Sequence, residues 1–288
     1  MSSPTQLEPR SGGRAAASGP PDGSSRIALY TRIVRASLER VWENVLDWEH
    51  LPWLHREAFC KVEPLAADEA GWEAVVEAPA RAARRRLRIS VDLDRPRLRY
   101  VTRTLEGPGA GTEIWTQLAR RSERETGIEV GFFVPGVGPG AAEALGRSYV
   151  ALYTTLWDQD EAMMVERQRV LDARAARGGA HLASSAALGP ASTLLAGGPR
   201  IVDAFGGRWR IVARGSALVV HDAVCPHLGG PLASALPDEQ GCVTCPWHGY
   251  RFDVATGRSA DGRGFALSRA PELRIDPETG EASLVRVR

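Results

Sequence analysis

Two stretches, AVCPHLGGPL (223–232) and GCVTCPWHGYRFDVATG (241–257), decide how the C-terminal third of this chain must fold. Each contributes one cysteine and one histidine at close spacing, Cys225-x-His227 and Cys245-x-x-His248. Two thiolates and two imidazoles could fill a tetrahedral zinc site. Zinc pairs usually read Cys-x-x-Cys with a histidine pair elsewhere, however, whereas here each knuckle offers one of each. The mixed pairing suits an asymmetric [2Fe–2S] cluster. One iron keeps both cysteines and the other takes both histidines, which raises the reduction potential above that of an all-cysteine cluster.

The segment resembles the Rieske family, including Gly229, Gly230, Pro231 and Leu232 after the first pair and Trp247, Gly249, Phe252 and Asp253 around the second. The resemblance implies that Cys225, His227, Cys245 and His248 bind the cluster. Respiratory Rieske proteins carry one further cysteine in each loop, joined as a disulfide. Gly230 and Trp247 stand at those places here, so the segment is similar to the oxygenase and ferredoxin type. Cys60 and Cys242 are then spare and expected to be buried thiols. His181 and His221 fit no pattern.

The bulk composition places limits on everything else. At 288 residues the chain can hold two modest domains, and 43% hydrophobic with 25% charged residues is ordinary for a globular protein. A net charge of +1 argues against a nucleic-acid footprint or a membrane-surface patch, and the use of arginine almost throughout, with Lys61 the only lysine, looks like a coding bias rather than a binding device. No apolar run is long enough to span a bilayer. Residues 1–25 are small, polar and without an apolar core, which reads as a disordered tail rather than a secretory signal. A cytoplasmic location is expected, and in that reducing setting clustered cysteines suggest metal before disulfide.

Upstream of the knuckles, RIALYTRIVRA alternates as a strand, and Ser37 is positioned to cap a helix through SLERVWENVLDW. Five strand-like segments follow: WEAVVEA, LRISVDL, LRYVTRTL, TEIWTQLA and IEVGFFV. After the breaker PGVGPG, residues 141–176 spell one long helix with apolar residues spaced at three and four. This order is similar to the helix-grip fold of the START-like superfamily, in which a curved antiparallel sheet wraps a last helix around an apolar cavity. The expected architecture is α+β: a START-like domain over 26–176, a small-residue linker over 177–199, and a small all-β Rieske domain over 200–288. A strand-and-turn unit of that size is marginal without help from a metal.

The stretch DWEHLPWLH (47–55) then acquires a meaning. In Rieske non-haem iron oxygenases, a START-like domain holds a mononuclear Fe(II) between two histidines and one carboxylate. The local signature is an acidic residue, then Asp, two residues, His, four residues, His. This chain reads Glu43, Asp47, His50 and His55. The resemblance implies that His50 and His55 are iron ligands. It implies that Asp47 is a neighbouring carboxylate that orients an imidazole and bridges toward His227 or His248. Asp47 and His50 share a helical face, and Pro52 disfavours helix at Leu51, so the chain should turn there and return His55. By the same resemblance the third ligand lies on the last helix, within WDQDEAMMVERQ: Asp160 best fits the Asp-x-Asp-then-apolar form of the family, Glu161 and Asp158 are alternatives, and helix rotation lets only one of a neighbouring pair face the sheet. Metal-free START-like proteins often end this helix with an aspartate, an aromatic and a proline beside tryptophan, so the two histidines are the distinguishing feature.

By that resemblance the chain is an oxygenase component that uses dioxygen and electrons from an NAD(P)H-dependent reductase, directly or through a ferredoxin. It would hydroxylate or demethylate an apolar small molecule. Trp53, Trp115, Phe132, Phe133 and Tyr153 are candidate cavity residues, with plain core packing the alternative. The family usually places its Rieske domain first; here the order is reversed, which the family's head-to-tail homotrimer would tolerate. A second reading is a START-like ligand-binding protein whose fused Rieske ferredoxin acts only in electron transfer. A third, a polyketide cyclase-like lyase, leaves the knuckles unused.

Overall fold

The computed structural model describes residues 19–20, 25–79, 85–176 and 184–287. Most of the tail expected over 1–25, together with residues 177–183 and His181, lies outside the described residues. The chain divides into two compact units, one ending at Gln168 and the other starting at Arg169. Among the described residues no helix is long and apolar enough to cross a membrane.

In the first unit, strand β1 (Arg26–Val34) leads to Ser37, whose hydroxyl accepts from the Arg40 amide at 3.3 Å and caps helix α1 (Leu38–Leu46). The helix buries Leu38, Val41, Trp42 and Asn44 and ends at Asp47. A short helix α2 (Leu51–Leu54) follows. Six strands come next: β2 (Lys61–Asp68), β3 (Gly71–Ala78), β4 (Arg85–Asp94), β5 (Arg99–Glu106), β6 (Glu113–Arg120) and β7 (Thr126–Phe133). All seven strands pair antiparallel in the order β1-β7-β6-β5-β4-β3-β2. Helix α3 (Pro139–Ala175) runs for 37 residues and contributes Trp157 and Met164 to the core that Val34, Val41, Val76 and Phe132 of the other elements fill. Gly146 permits the close approach of α3 to β1, because a Cβ there would stand 2.6 Å from the Ile27 carbonyl oxygen. The unit is therefore the helix-grip arrangement that the element order predicts.

Two local features differ from the sequence reading. Strand β2 was not expected; its sequence KVEPLAAD holds a proline and alternates poorly. It is an edge strand with a register shift between Pro64 and Ala66, where a missing amide hydrogen costs no ladder bond. The break after α1 falls at Asp47–His50 rather than at Leu51, which is itself the first residue of α2. Pro52 sits in the first turn of that helix, where its N–H is not needed.

The second unit is nearly all β. It holds β8 (Ser185–Pro190), a short α4 (Ala191–Ala196), β9 (Arg200–Ala204), β10 (Gly207–Arg214), β11 (Ala217–Asp222), β12 (Cys242–Thr244), β13 (Arg251–Asp253), β14 (Glu272–Ile275) and β15 (Glu281–Val285). They form three small antiparallel sheets: β11-β10-β9, β12-β13 and β14-β15-β8. Residues 185–196, expected to be linker, instead supply β8 and α4. Leu188 and Leu194 enter a core with Trp209, Ile211 and Leu284, so the small-residue composition hid a packed strand.

Candidate metal centres

His50 and His55 flank α2 as its N-cap and C-cap residues, and Asp160 projects from the middle of α3. All three are buried, at 3%, 2% and 9% exposure, and their donor atoms lie within 4.8 Å of one another. Among the described residues this is the only three-donor group that converges on a single-ion site. His55 Nε2 is 3.0 Å and His50 Nε2 3.5 Å from the same oxygen, Asp160 Oδ1. Asn44 Nδ2 donates to that oxygen as well, at 3.0 Å. On the far side of each ring, Gln159 Oε1 lies 2.7 Å from His55 Nδ1, and Asp47 Oδ2 lies 3.5 Å from His50 Nδ1.

Burial pushes the Asp160 carboxyl up, but the hydrogen bond and charge of His55, the charge of His50 and the Asn44 amide outweigh it and hold the group below its ordinary value. Burial likewise lowers His55, and the Asp160 carboxylate overcomes that and raises it. A buried carboxylate and two buried imidazoles drawn together are a donor set that fits a divalent transition metal. The alternatives Asp158 and Glu161 point elsewhere: both pair with Arg32, at 2.6 Å and 2.5 Å, and Glu161 also accepts from Arg35 at 2.7 Å. Glu43, first residue of the expected signature, binds Arg40 and Arg167 rather than joining the three donors.

The three donors border a cavity of about 130 Å³ whose other walls include Val45, Phe59, Trp72, Ile89 and Leu156. Of the aromatics expected to line it, only Tyr153 does so. Phe132 is fully buried against Tyr149 and Tyr153, Trp53 is 42% exposed, and Trp115 lies under the Arg99 guanidinium. Sequence reasoning missed Asn44 and Gln159. The one available signal was a polar residue, Asn44, set within the apolar stripe of α1.

In the second unit the two knuckles share one hydrogen-bond design. The Cys225 amide donates to Gly230 O at 2.8 Å and the Gly229 amide to Cys225 O at 3.0 Å. The Cys245 amide donates to Tyr250 O at 2.8 Å and the Gly249 amide to Cys245 O at 2.9 Å. Gly229 and Gly249 both adopt positive φ, 84° and 67°, which closes each loop. Cys225, Cys245 and His248 are buried, while His227 is half-buried.

The donors converge, Cys245 interacting with the side chains of both Cys225 and His248. The two imidazoles sit edge to face with centroids 4.6 Å apart, and the two thiols share a hydrogen bond. The neighbouring Cys225 thiol holds Cys245 well below the ordinary thiol value, so that one sulfur is readily a thiolate. Sulfur beside sulfur and nitrogen beside nitrogen fits a two-iron cluster with chemically distinct irons. Gly230 keeps the space clear, since a Cβ there would meet Cys245 Sγ at 2.5 Å.

Residues 184–267 match the family model described as the Rieske [2Fe-2S] domain. This stretch is a Rieske domain. Its match opens at Ser184, immediately before β8, in agreement with the packing of that strand. Over 52 residues the chain is 38% identical to cholesterol 7-desaturase nvd 1 of Ciona intestinalis, covering 18% of this chain and 10% of that protein. It is 37% identical over 54 residues to human apoptosis-inducing factor 3, covering 19% of this chain and 9% of the other. The chain thus spans about a tenth of the length of these curated relatives.

Among solved structures, the Zhui aromatase/cyclase from Streptomyces sp. R1128 aligns at TM-score 0.41 and 18% identity, covering 53% of this chain and 98% of its own. The ferredoxin of carbazole 1,9a-dioxygenase from Nocardioides aromaticivorans IC177 aligns at TM-score 0.32 and 23% identity, covering 36% and 98%.

Of the spare cysteines, Cys242 is buried as expected, but Cys60 is exposed, its thiol donating to Glu77 O at 3.3 Å beside edge strand β2. His221 is buried on β11 with Nδ1 donating to Asp222 O at 2.9 Å. The Rieske domain also has a third loop, carrying Arg263 and Phe265, that no sequence motif indicated.

Proposed function

We propose that the chain is a Rieske-type oxygenase component. Cys225, His227, Cys245 and His248 would hold the [2Fe–2S] cluster, and His50, His55 and Asp160 a mononuclear Fe(II). Single-electron transfer is what a Rieske domain does; the observation that extends the reading to an enzyme is the convergence of three buried donors beside a mostly apolar cavity. The resemblance of a short stretch to a desaturase is in keeping with oxidoreductase chemistry.

A ferrous ion held by His50, His55 and Asp160 would supply dioxygen activation, with electrons from a separate NAD(P)H-dependent reductase or a ferredoxin. The chain's own residues do the rest. Asn44 fixes the Asp160 carboxylate, and Gln159 fixes the His55 ring by accepting its Nδ1–H, which leaves Nε2 as the donor toward the ion. Asp47 Oδ2, 3.5 Å from His50 Nδ1, places a carboxylate beside the second ring. Val45, Phe59, Ile89 and Leu156 exclude water and select an apolar small molecule, which would be hydroxylated or demethylated.

The test is iron per chain in anaerobically purified protein, with EPR of the dithionite-reduced cluster. About three irons and a Rieske signal are expected, falling to about two in His50→Ala/His55→Ala with the signal retained. About two irons in the unaltered protein after Fe(II) reconstitution would overturn the oxygenase reading. A ligand-binding domain with a tethered electron relay would then replace it.

A further inference from the structure

Around His227 the Rieske domain builds a stack that the cluster ligands alone do not require. The Tyr250 ring lies nearly parallel to the His227 imidazole, at 24° and a centroid distance of 4.4 Å. The Arg263 guanidinium carbon sits 4.3 Å from the centre of the Tyr250 ring. The same guanidinium donates from Nη1 to the His248 backbone oxygen at 3.2 Å. Phe265 closes the group edge-on against both His227 and Tyr250, each at 5.4 Å.

The loop carrying Arg263 and Phe265 is held in place by other means. Isolated bridges pair Phe252 with Ser259 and Arg258 with Ala266, and Asp261 accepts from the Arg251 amide at 3.1 Å. Asp261 also stands 3.6 Å from Arg263 Nε, an ion pair at the edge of the stack.

We propose that Arg263, acting through Tyr250, positions His227 and raises the reduction potential of the cluster, with Asp261 opposing it. Arg263 is a positioning and electrostatic residue, not a ligand, and the inference rests on the reading that His227 and His248 bind the cluster. The physical reason is charge. Reduction adds one negative charge to the cluster, so a nearby cation favours the reduced form and a nearby carboxylate disfavours it. His227 is the most exposed of the four ligands, so its ring is the one that needs a packing partner to hold its orientation. Tyr250 supplies the flat face, and a planar guanidinium can stack on that face while still donating to the His248 carbonyl. Arg263 is 40% exposed, so solvent screens part of the effect.

The experiment measures the equilibrium of electron exchange between the full-length, cluster-loaded protein and a one-electron reference dye, with EPR of the reduced state. In Arg263→Gln the exchange should move about three- to tenfold toward the oxidised cluster, tenfold being 59 mV for one electron. Asp261→Asn should move it the other way. Arg263→Lys, which keeps the charge without the planar contact, should stay near the unaltered value while its EPR signal broadens. Two results overturn the proposal: an Arg263→Gln protein that retains its cluster with unchanged exchange, or Arg263→Gln and Asp261→Asn shifting in the same direction, which would signify packing alone. Should Arg263→Gln fail to retain the cluster, Asp261→Asn decides, since an unchanged equilibrium there also refutes the electrostatic role. Absence of any Rieske signal from the unaltered protein would instead refute the cluster assignment on which the inference rests.

Discussion

Replacing Gly230 by alanine tests the knuckle geometry at a single atom. The added Cβ would lie 2.5 Å from Cys245 Sγ and 3.3 Å from two carbons of the Trp247 ring. Ordinary non-bonded contact begins at about 3.5 Å, so the thiol must retreat by about an ångström. It has nowhere to go: Cys245 is fully buried and Trp247 is 5% exposed. No positive φ is involved at Gly230, so the clash itself is the whole effect. Overpacking of this kind costs about 1–3 kcal/mol, which, charged against the cluster-loaded state, weakens cluster retention about 5- to 160-fold. The assay is iron content and visible absorbance after anaerobic reconstitution, with Gly198→Ala as the control, because nothing lies within 4 Å of a Cβ at that position. A Gly230→Ala protein with a full cluster and an unaltered EPR signal would refute the argument that this glycine guards Cys245.

Three further substitutions probe other parts of the structure. Leu188→Ala, at a 3% exposed position of β8, should lower stability to urea by about 2–5 kcal/mol, whereas no change would restore the linker reading of residues 185–196. Asn44→Ala should weaken Fe(II) binding about 10–100-fold in anaerobic chelator competition, since Asp160 loses the amide that orients it, and equal affinity would remove Asn44 from the site. Glu161 should help set the acid limit of the first unit. Burial pushes its carboxyl up, but hydrogen bonds from Arg35 and Arg32 outweigh this and hold it below the usual value. A depressed folded pKa gives stability that is present above the unfolded value of about 4.3 and is lost as pH falls through the folded one. Glu161→Gln should therefore lower Tm at neutral pH and flatten its fall below about pH 4.3; a parallel acid limb in both proteins would contradict this.

What the sequence carried was local. Cys225-x-His227 and Cys245-x-x-His248 are legible because the ligands of each knuckle lie within a few residues, and the backbone bonds that close each loop span only four or five. The Ser37 cap, the long α3 and the alternation in LRISVDL are local too, governed by capping and by periodicities of 3.6 and 2. Strand β2 and the packed segment 185–196 were missed because their pairing partners, not their own residues, make them strands. Gly189, for example, is opposite Ala282, far along the chain.

The choice among Asp158, Asp160 and Glu161 belonged to the tertiary structure alone. About 100° of helix rotation separates neighbours, and which one faces His50 and His55 depends on how α3 lies on the sheet. That placement sets Asp160 against His55, 105 residues away in sequence, while Arg32 and Arg35 of the β1 end take Glu161. The third loop's approach to His227 is decided in the same way: Arg263 has meaning only once the chain has folded back to lay it over Tyr250. Residue identity and spacing specify which donors exist; convergence of donors from distant elements is a property of packing, which no window of sequence contains.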